Sequence, residues 1–237
     1  MERHRFIEEL EAIAPPGAAD EYDEGRIGLV VEGTREIRRV ACALDATHSV
    51  VLRAVELGAD ILIVHHTPIW DPVTRVEGGL ARLLGTALPA GMNVYVMHSN
   101  FDRAPGGIND ALADLLGLED RVRLSLGVLG TCPISPEKIA SVLGGALRVW
   151  GEDVEKGPFR LAVAGGSAFD LPLIMEAARA GADAYLSAEL KHHVARLSPI
   201  PLLESTHYTL EAPGMRALAA RKGWEFIEDP PSLTMLP

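Results

Sequence analysis

An adjacent histidine pair, His65-His66, closes the apolar run Ile61-Leu62-Ile63-Val64. Such a run reads as a buried parallel strand, so the pair arrives at its carboxyl end, where open α/β sheets place their ligand sites. Neighbouring strand residues point to opposite faces; both imidazoles serve one site only if the chain is already turning at Thr67-Pro68. A second apolar run, Val94-Tyr95-Val96-Met97, leads into His98-Ser99-Asn100-Phe101-Asp102. A third, Leu202-Leu203-Glu204, leads into Ser205-Thr206-His207 and then Glu211. Three strand ends thus deliver imidazoles together with carboxylates, the donor mixture that suits Zn, Fe, Mn or Ni. The plain alternatives are an ordinary doublet, one ring in the core and one in water, and an i, i+4 surface pair at His207 and Glu211. Pro213 argues against a helix running through 207–211, because proline disfavours helical geometry in the residue before it and suits a first turn. Glu211 is therefore expected at a helix entrance.

The elements that must position these residues alternate along the chain. Phe6, Ile7, Leu10 and Ile13 form a helical stripe stopped by Pro15-Pro16. Val40 to Leu44 reads as a strand, Ser49 to Leu57 as a helix closed by Gly58, and Ile61 to Val64 as the next strand: a βαβ unit, with its right-handed crossover and parallel pair. A short helix is expected over Gly79 to Leu84, a strand over Val94 to Met97, and a helix over Ile108 to Leu116, capped by Gly117. Ser135-Pro136 opens a helix to Leu143, with Ser as N-cap and Pro at the first helical position. Gly151 to Gly157 reads as a polar loop. Gly106-Gly107 precedes the helix at Ile108, and amides there could bind a phosphate.

Ala54 to Leu62 is echoed by Ala177 to Tyr185 at a constant offset of 123 (181 − 58 and 183 − 60), both carrying helix, Gly-Ala-Asp and strand. Val40 to Leu44 pairs with Leu161 to Gly165 near that offset, and His65-His66 has a looser counterpart in Glu189-Leu190-Lys191-His192-His193. The expected fold is therefore α/β, two similar halves each with a mainly parallel sheet flanked by helices. Residues 1–125 plus 202–237 are assigned to the half carrying the donors, and 126–201 to the other.

Composition limits the setting. The chain has 237 residues, 48% hydrophobic, with a formal net charge of −11. No apolar run approaches the roughly 20 residues that span a bilayer, and the N-terminus lacks the apolar core of a signal peptide, so a cytoplasmic location is expected. Cys42 and Cys132 sit in apolar or Pro-flanked contexts and read as buried thiols. The acidic balance argues against a generic duplex-DNA surface. The absence of Gln and the presence of only three Asn (Asn93, Asn100, Asn109) is a thermophile habit.

Four ordered motifs resemble the Nif-three-like family, also labelled GTP cyclohydrolase I type 2-like. They are Leu44-Asp45-Ala46-Thr47 with the Gly-Ala-Asp-Ile-Leu-Ile-Val-His-His run ending at His66, His98 to Asn109, Ser187 to His193, and His207-Tyr208-Thr209-Leu210-Glu211. The chain departs at Thr67, where the family more often has Pro, and Tyr22 to Gly33 follows the usual Trp-Asp-Asn-x-Gly-Leu pattern only loosely. The segment from Leu124 to Arg160 leaves no room for the middle domain of the long family form. The resemblance implies that the two α/β halves are intertwined, with a cleft that holds two divalent metal ions, and a homo-oligomer, commonly a hexameric ring. Carried over position by position, it makes His65, His66, Asp102, His207 and Glu211 the ligands. His98 would orient a ligand or act as a general acid-base catalyst; Glu189, Lys191, His192 and His193 would line the cleft from the other half, with Lys191-His192-His193 as a solvated helix-opening run the equal alternative.

Such a metal pair would activate water, and the implied activity is hydrolysis of a nucleotide or phosphorylated small molecule. The attack would fall on C8 of guanine, with ring opening and loss of formate, or on phosphorus. A non-catalytic metal-binding chaperone or regulatory protein is a different class of answer. A ring that engages nucleic acid in DNA repair, through arginines such as Arg35, Arg38 and Arg39, is another.

Overall fold

The computed structural model describes residues 1–144, 147–151, 154 and 157–234; much of the polar loop expected over 151–157 lies outside the described residues. In chain order the elements begin with α1 (Arg3–Ile13), single 3-10 turns at Pro16–Ala18 and Glu21–Asp23, β1 (Gly28–Val31), β2 (Val40–Asp45), α2 (His48–Glu56), β3 (Ile61–His66), α3 (Gly78–Ala87), β4 (Asn93–Val96) and α4 (Ser99–Arg103). There follow α5 (Ile108–Leu115), β5 (Glu119–Arg123), β6 (Val128–Cys132), α6 (Pro136–Val142), β7 (Arg148–Trp150), β8 (Phe159–Val163), α7 (Leu171–Arg179), β9 (Ala184–Ser187), α8 (His192–Leu197), β10 (Leu202–Glu204), α9 (His207–Lys222) and β11 (Glu225–Phe226). Among the described residues no helix is long and apolar enough to cross a membrane.

The chain forms two compact units, Met1–Gly107 with Met215–Pro230, and Ile108–Gly214 with Pro231–Pro237. The first holds a sheet of order β1-β4-β3-β2-β11. Its pairs β4·β3, β3·β2 and β2·β11 are parallel, and β1 is antiparallel to β4. The second holds a sheet of order β5-β6-β8-β9-β10-β7. Here parallel pairing is confined to β8·β9 and β9·β10, and the flanking strands run antiparallel, so a mainly parallel sheet holds for the first unit and a mixed one for the second. The sequence-derived boundaries also differ from these units. Residues 202–214 belong with the second, because Leu202–Glu204 is hydrogen-bonded between β9 and β7. Residues 108–125 do as well, with Leu112, Ala113, Leu116 and Leu118 in its core.

Packing follows from strand alternation. In β8, Leu161 and Val163 face a core with Leu112, Leu116 and Ile139, whereas Ala162, and Ala164 just beyond, face one with Ile174 and Ala177 of α7. In the first unit, Val50, Val51 and Ala54 of α2 cover Leu62, Val64, Val94 and Val96. Each such fully buried Val, Leu or Ile contributes about 1.5–3 kcal/mol relative to exposure. Both predicted thiols are buried and unlinked.

The echo is one folding solution used twice. Helix α2 ends with Gly58 at φ 69° and α7 with Gly181 at φ 88°. In both, the next amide reaches back five residues, Ala59 N to Ala54 O (2.9 Å) and Ala182 N to Ala177 O (3.0 Å), the left-handed glycine cap that ends a helix cleanly. The aspartate then latches the preceding strand. Asp60 Oδ2 accepts from the Arg38 and Arg39 amides (2.8 and 2.9 Å), and Asp183 Oδ2 from the Arg160 amide (2.7 Å).

Candidate metal centre

In the first unit, β2, β3 and β4 end side by side. The strand β3 runs through both histidines, so the doublet needs no early turn: Asp45 stands opposite His66 in register, and the two rings, although on successive strand residues, lie with centroids 4.9 Å apart at the carboxyl end of this central strand. His65 is fully buried and His66 partly so. His65 Nδ1 lies 2.8 Å from the Met97 carbonyl oxygen. A carbonyl only accepts, so Nδ1 carries the proton and Nε2 the lone pair. His66 Nδ1 likewise donates to Asp45 Oδ1 at 2.7 Å.

His98 follows β4, and its Nδ1 donates to Asp23 Oδ1 at 2.8 Å. Asp23 is fully buried; its other oxygen accepts from the Ser99 amide (3.0 Å) and hydroxyl (2.5 Å). Burial pushes the Asp23 carboxyl up, but the hydrogen bonds from His98 and Ser99 outweigh it and hold the group below the ordinary carboxylate range. The short helix α4 turns Asp102 back, its amide donating to His98 O at 3.2 Å. Asp102 Oδ1 then stands 3.6 Å from His65 Nε2, too long for a hydrogen bond and suited to two ligands of one ion. A nitrogen from each of His65, His66 and His98 lies within 4.8 Å of the others, so by distance His98 ranks with the doublet as a donor.

In the second unit, His207 and Glu211 open α9, which continues through Pro213 to Lys222. This corrects the expectation that Pro213 would keep 207–211 out of a helix: the two residues are an i, i+4 pair, His207 Nε2 standing 2.9 Å from Glu211 Oε2. Burial of Leu210, Ala212, Met215, Leu218 and Ala219 along α9 outweighs the local proline penalty. Gly214 helps, since a Cβ there would lie 2.6 Å from Ile108 Cδ1. Glu211 is buried. His207 Nδ1 donates to Glu189 Oε1 at 2.7 Å, and that bond foremost holds the Glu189 carboxyl below its ordinary range. Glu189 itself sits at φ 61°, a left-handed conformation uncommon outside glycine. Lys191, His192 and His193 are exposed at the start of α8; Lys191 and His193 line a hollow with Ser167, Asp170 and Glu189.

The donor chemistry of both units fits a divalent transition metal. Each of the four histidines has Nδ1 held by an oxygen acceptor, the arrangement that fixes the tautomer of metal-binding imidazoles. Of these acceptors, Asp45 stood within one of the four sequence motifs without a role of its own, and Asp23 was not singled out from sequence. Asp45 closes β2 as His66 closes β3, a signal readable once the strands are placed in parallel. Gly166 was missed too: at φ 68°, a Cβ there would fall 2.2 Å from Glu211 Oε1, so only glycine lets the carboxylate lie against this turn. At Gly106-Gly107, where the sequence allowed either a phosphate-binding turn or a plain tight turn, Gly106 stands at φ 69° and the Gly107 amide donates to Ala104 O at 2.9 Å. Of the arginines considered for nucleic acid, Arg38 pairs with Glu36 and Arg39 donates to Leu57 O at 2.5 Å.

The model of the Duf34/NIF3 family (NGG1p interacting factor 3) matches residues 1–225. A relative from Methanocaldococcus jannaschii named GTP cyclohydrolase 1 type 2 homolog is 31% identical over 229 residues, covering 91% of this chain and 92% of its own. One of the same name from Pyrococcus horikoshii is 33% identical over 215 residues, covering 83% and 84%. Among solved structures, reduced HcgD from Methanocaldococcus jannaschii superposes with a TM-score of 0.81 at 29% identity, covering 95% of this chain and 96% of that one. TTHA1606 from Thermus thermophilus does so with 0.79 at 28%, covering 98% and 100%.

Proposed function

Because the chain belongs to the Duf34/NIF3 family, we propose that it is a dinuclear metal-dependent hydrolase of a nucleotide or phosphorylated small molecule, in its most specific form a GTP cyclohydrolase-like ring-opening enzyme. The proposed ligands are His65, His66 and Asp102 of the first unit and His207 and Glu211 of the second. The observation that carries the reading is the shared arrangement of the histidines, each with Nδ1 donating to an oxygen, which leaves Nε2 as the oriented atom for a metal. Bound divalent ions would supply Lewis acidity and a water of lowered pKa. The chain's own part is orientation. Asp45 and the Met97 carbonyl hold the doublet, Glu189 holds His207, and Gly166 leaves room for Glu211. His98, fixed by Asp23, could carry a proton at Nε2 or bind metal alongside the doublet. The names of the relatives support the nucleotide class.

The test is protein loaded separately with Zn, Mn, Fe or Ni, assayed for metal content and for turnover of a nucleotide panel that includes GTP. At least one metal form should react, and His65→Ala with Glu211→Ala should abolish the reaction. Unchanged turnover in the double variant would refute the proposal. Tight stoichiometric metal with no nucleotide consumed would replace it with a metal-carrying or regulatory role.

A further inference from the structure

Beside the histidine cluster of the first unit, two large aromatic side chains face water. Tyr22 is 50% exposed and Trp70 47%, although rings of this size usually bury much of their 150–250 Å². They are held in place. Arg26 Nε donates to the Trp70 carbonyl at 2.5 Å and its Nη1 donates to the Tyr22 carbonyl, so one guanidinium ties the two segments together. The same group lies over the Trp70 ring, 4.7 Å from its centroid, and approaches Asp71. Tyr22 and Trp70 are 6.3 Å apart at an interplanar angle of 37°. Both meet His98 edge-on, at 6.1 Å and 71° and at 5.8 Å and 82°. Tyr22 is also next in sequence to Asp23, whose carboxylate pins His98. The aromatic pair is therefore anchored to the donor cluster through one buried side chain.

We propose that Tyr22 and Trp70, braced by Arg26, are a stacking platform for the base of a nucleotide, which leaves the rest of the ligand beside His98. The inference deepens the nucleotide reading above and rests on it. A flat heterocycle suits the site because stacking needs only an exposed π-face, which every base has, and because Arg26, over one face of Trp70, holds that ring in place for a base on the other. A bare sugar phosphate offers no such face. The platform sets which part of a nucleotide is gripped; the metals set what happens to it.

The full chain, first stripped with chelator and then metal-loaded, is titrated with guanosine, adenosine and ribose 5-phosphate. Tryptophan emission is followed in a Trp150→Phe/Trp224→Phe background that leaves Trp70 as the reporter, and affinity is measured by equilibrium dialysis of labelled guanosine. Both nucleosides are expected to quench Trp70 with or without metal, and ribose 5-phosphate to leave it unchanged. Trp70→Ala and Tyr22→Ala should each weaken guanosine binding about tenfold, within the range of base–aromatic stacking, and Trp70→Phe should restore most of it. Equal guanosine affinity in wild type and Trp70→Ala, failure of any nucleoside to quench, or quenching by ribose 5-phosphate alone would overturn the platform. A metal-loaded wild type that consumes nucleotide while Trp70→Ala keeps its KM would sink the platform and leave the hydrolase standing. Base binding lost in Trp70→Ala, with no nucleotide ever consumed by wild type, would keep the platform and sink the hydrolase.

Discussion

Asp45 offers a direct measure of how much the imidazole anchors contribute to metal affinity. Its Oδ1 receives His66 Nδ1–H at 2.7 Å, an interaction imposed by the register of two parallel strands. Removing the carboxylate leaves His66 on its strand but frees the ring to rotate and lowers its basicity. Loss of such an outer partner costs about 10–100-fold in metal affinity. The Asp45 side chain is 37% exposed and that of His66 25%, so water screens part of the effect, and Asp45→Ala belongs at the low end, about tenfold or ~1.4 kcal/mol. Asp45→Asn keeps an acceptor in place without the charge and should fall between wild type and Ala. That order separates ring orientation from charge. The assay is competition with a chelating dye for each metal in turn. Thr86→Ala serves as control, because Thr86 Oγ1 contacts His48 Nε2 at 3.2 Å and no donor of the cluster. Wild-type affinity in Asp45→Ala, or an equal loss in Thr86→Ala, would refute the reasoning.

The repeated aspartate latches should differ in strength. Asp60→Ala removes two hydrogen bonds accepted from backbone amides and Asp183→Ala one, predicting losses of about 2 and about 1 kcal/mol by urea unfolding, with equal losses contradicting the assignment. Two glycines separate fold from site. A Cβ at Gly107 would sit 1.8 Å from the Phe101 carbonyl oxygen, whereas one at Gly166 would meet the end of the Glu211 side chain. Gly107→Ala should thus cost about 3 kcal/mol or more. Gly166→Ala should stay folded, pay about 1–2 kcal/mol for its left-handed backbone, and bind metal more weakly as Glu211 is displaced. Burial pushes the Cys42 and Cys132 thiols above their ordinary pKa, and both are buried, so neither should react with a disulfide reagent at neutral pH until urea unfolds the chain; rapid native labelling would show an opening the packing does not allow.

The parts of the fold that were legible in sequence are those where one local rule acts alone. Apolar runs ending at His66 and Met97, and helices closed by Gly58, Gly117 and Gly181, carry their signal within a dozen residues. What escaped depended on distant partners. Asp45 is one acidic residue among many until β2 lies against β3, and Asp23 means little until His98 reaches it. The edge strands β5 and β7 have every residue exposed, so neither shows the alternation that marks a half-buried strand. Pro213 misled for the opposite reason: a sound local rule was overruled by burial along α9.

The two units solve the same problem by different allocations. In the first, parallel strands end in Asp45, His65-His66 and, just past β4, His98, so the strand ends themselves carry donors and the acceptors that orient them. In the second, the corresponding strands β8, β9 and β10 end near Gly166, Glu189 and His207. Of these one residue is stripped of its side chain, one orients a ring, and only the last is a donor; the buried carboxylate comes one helical turn later, from Glu211. The echo between 54–62 and 177–185 is close because both units need the same helix stop and strand latch. It fades beyond the strands because donors have moved from strand end to helix, where a carboxylate can enter only if the facing strand end has no Cβ. The clearance at Gly166 is therefore as much a part of the chemistry as Glu211, and a sequence search for donors alone passes over it.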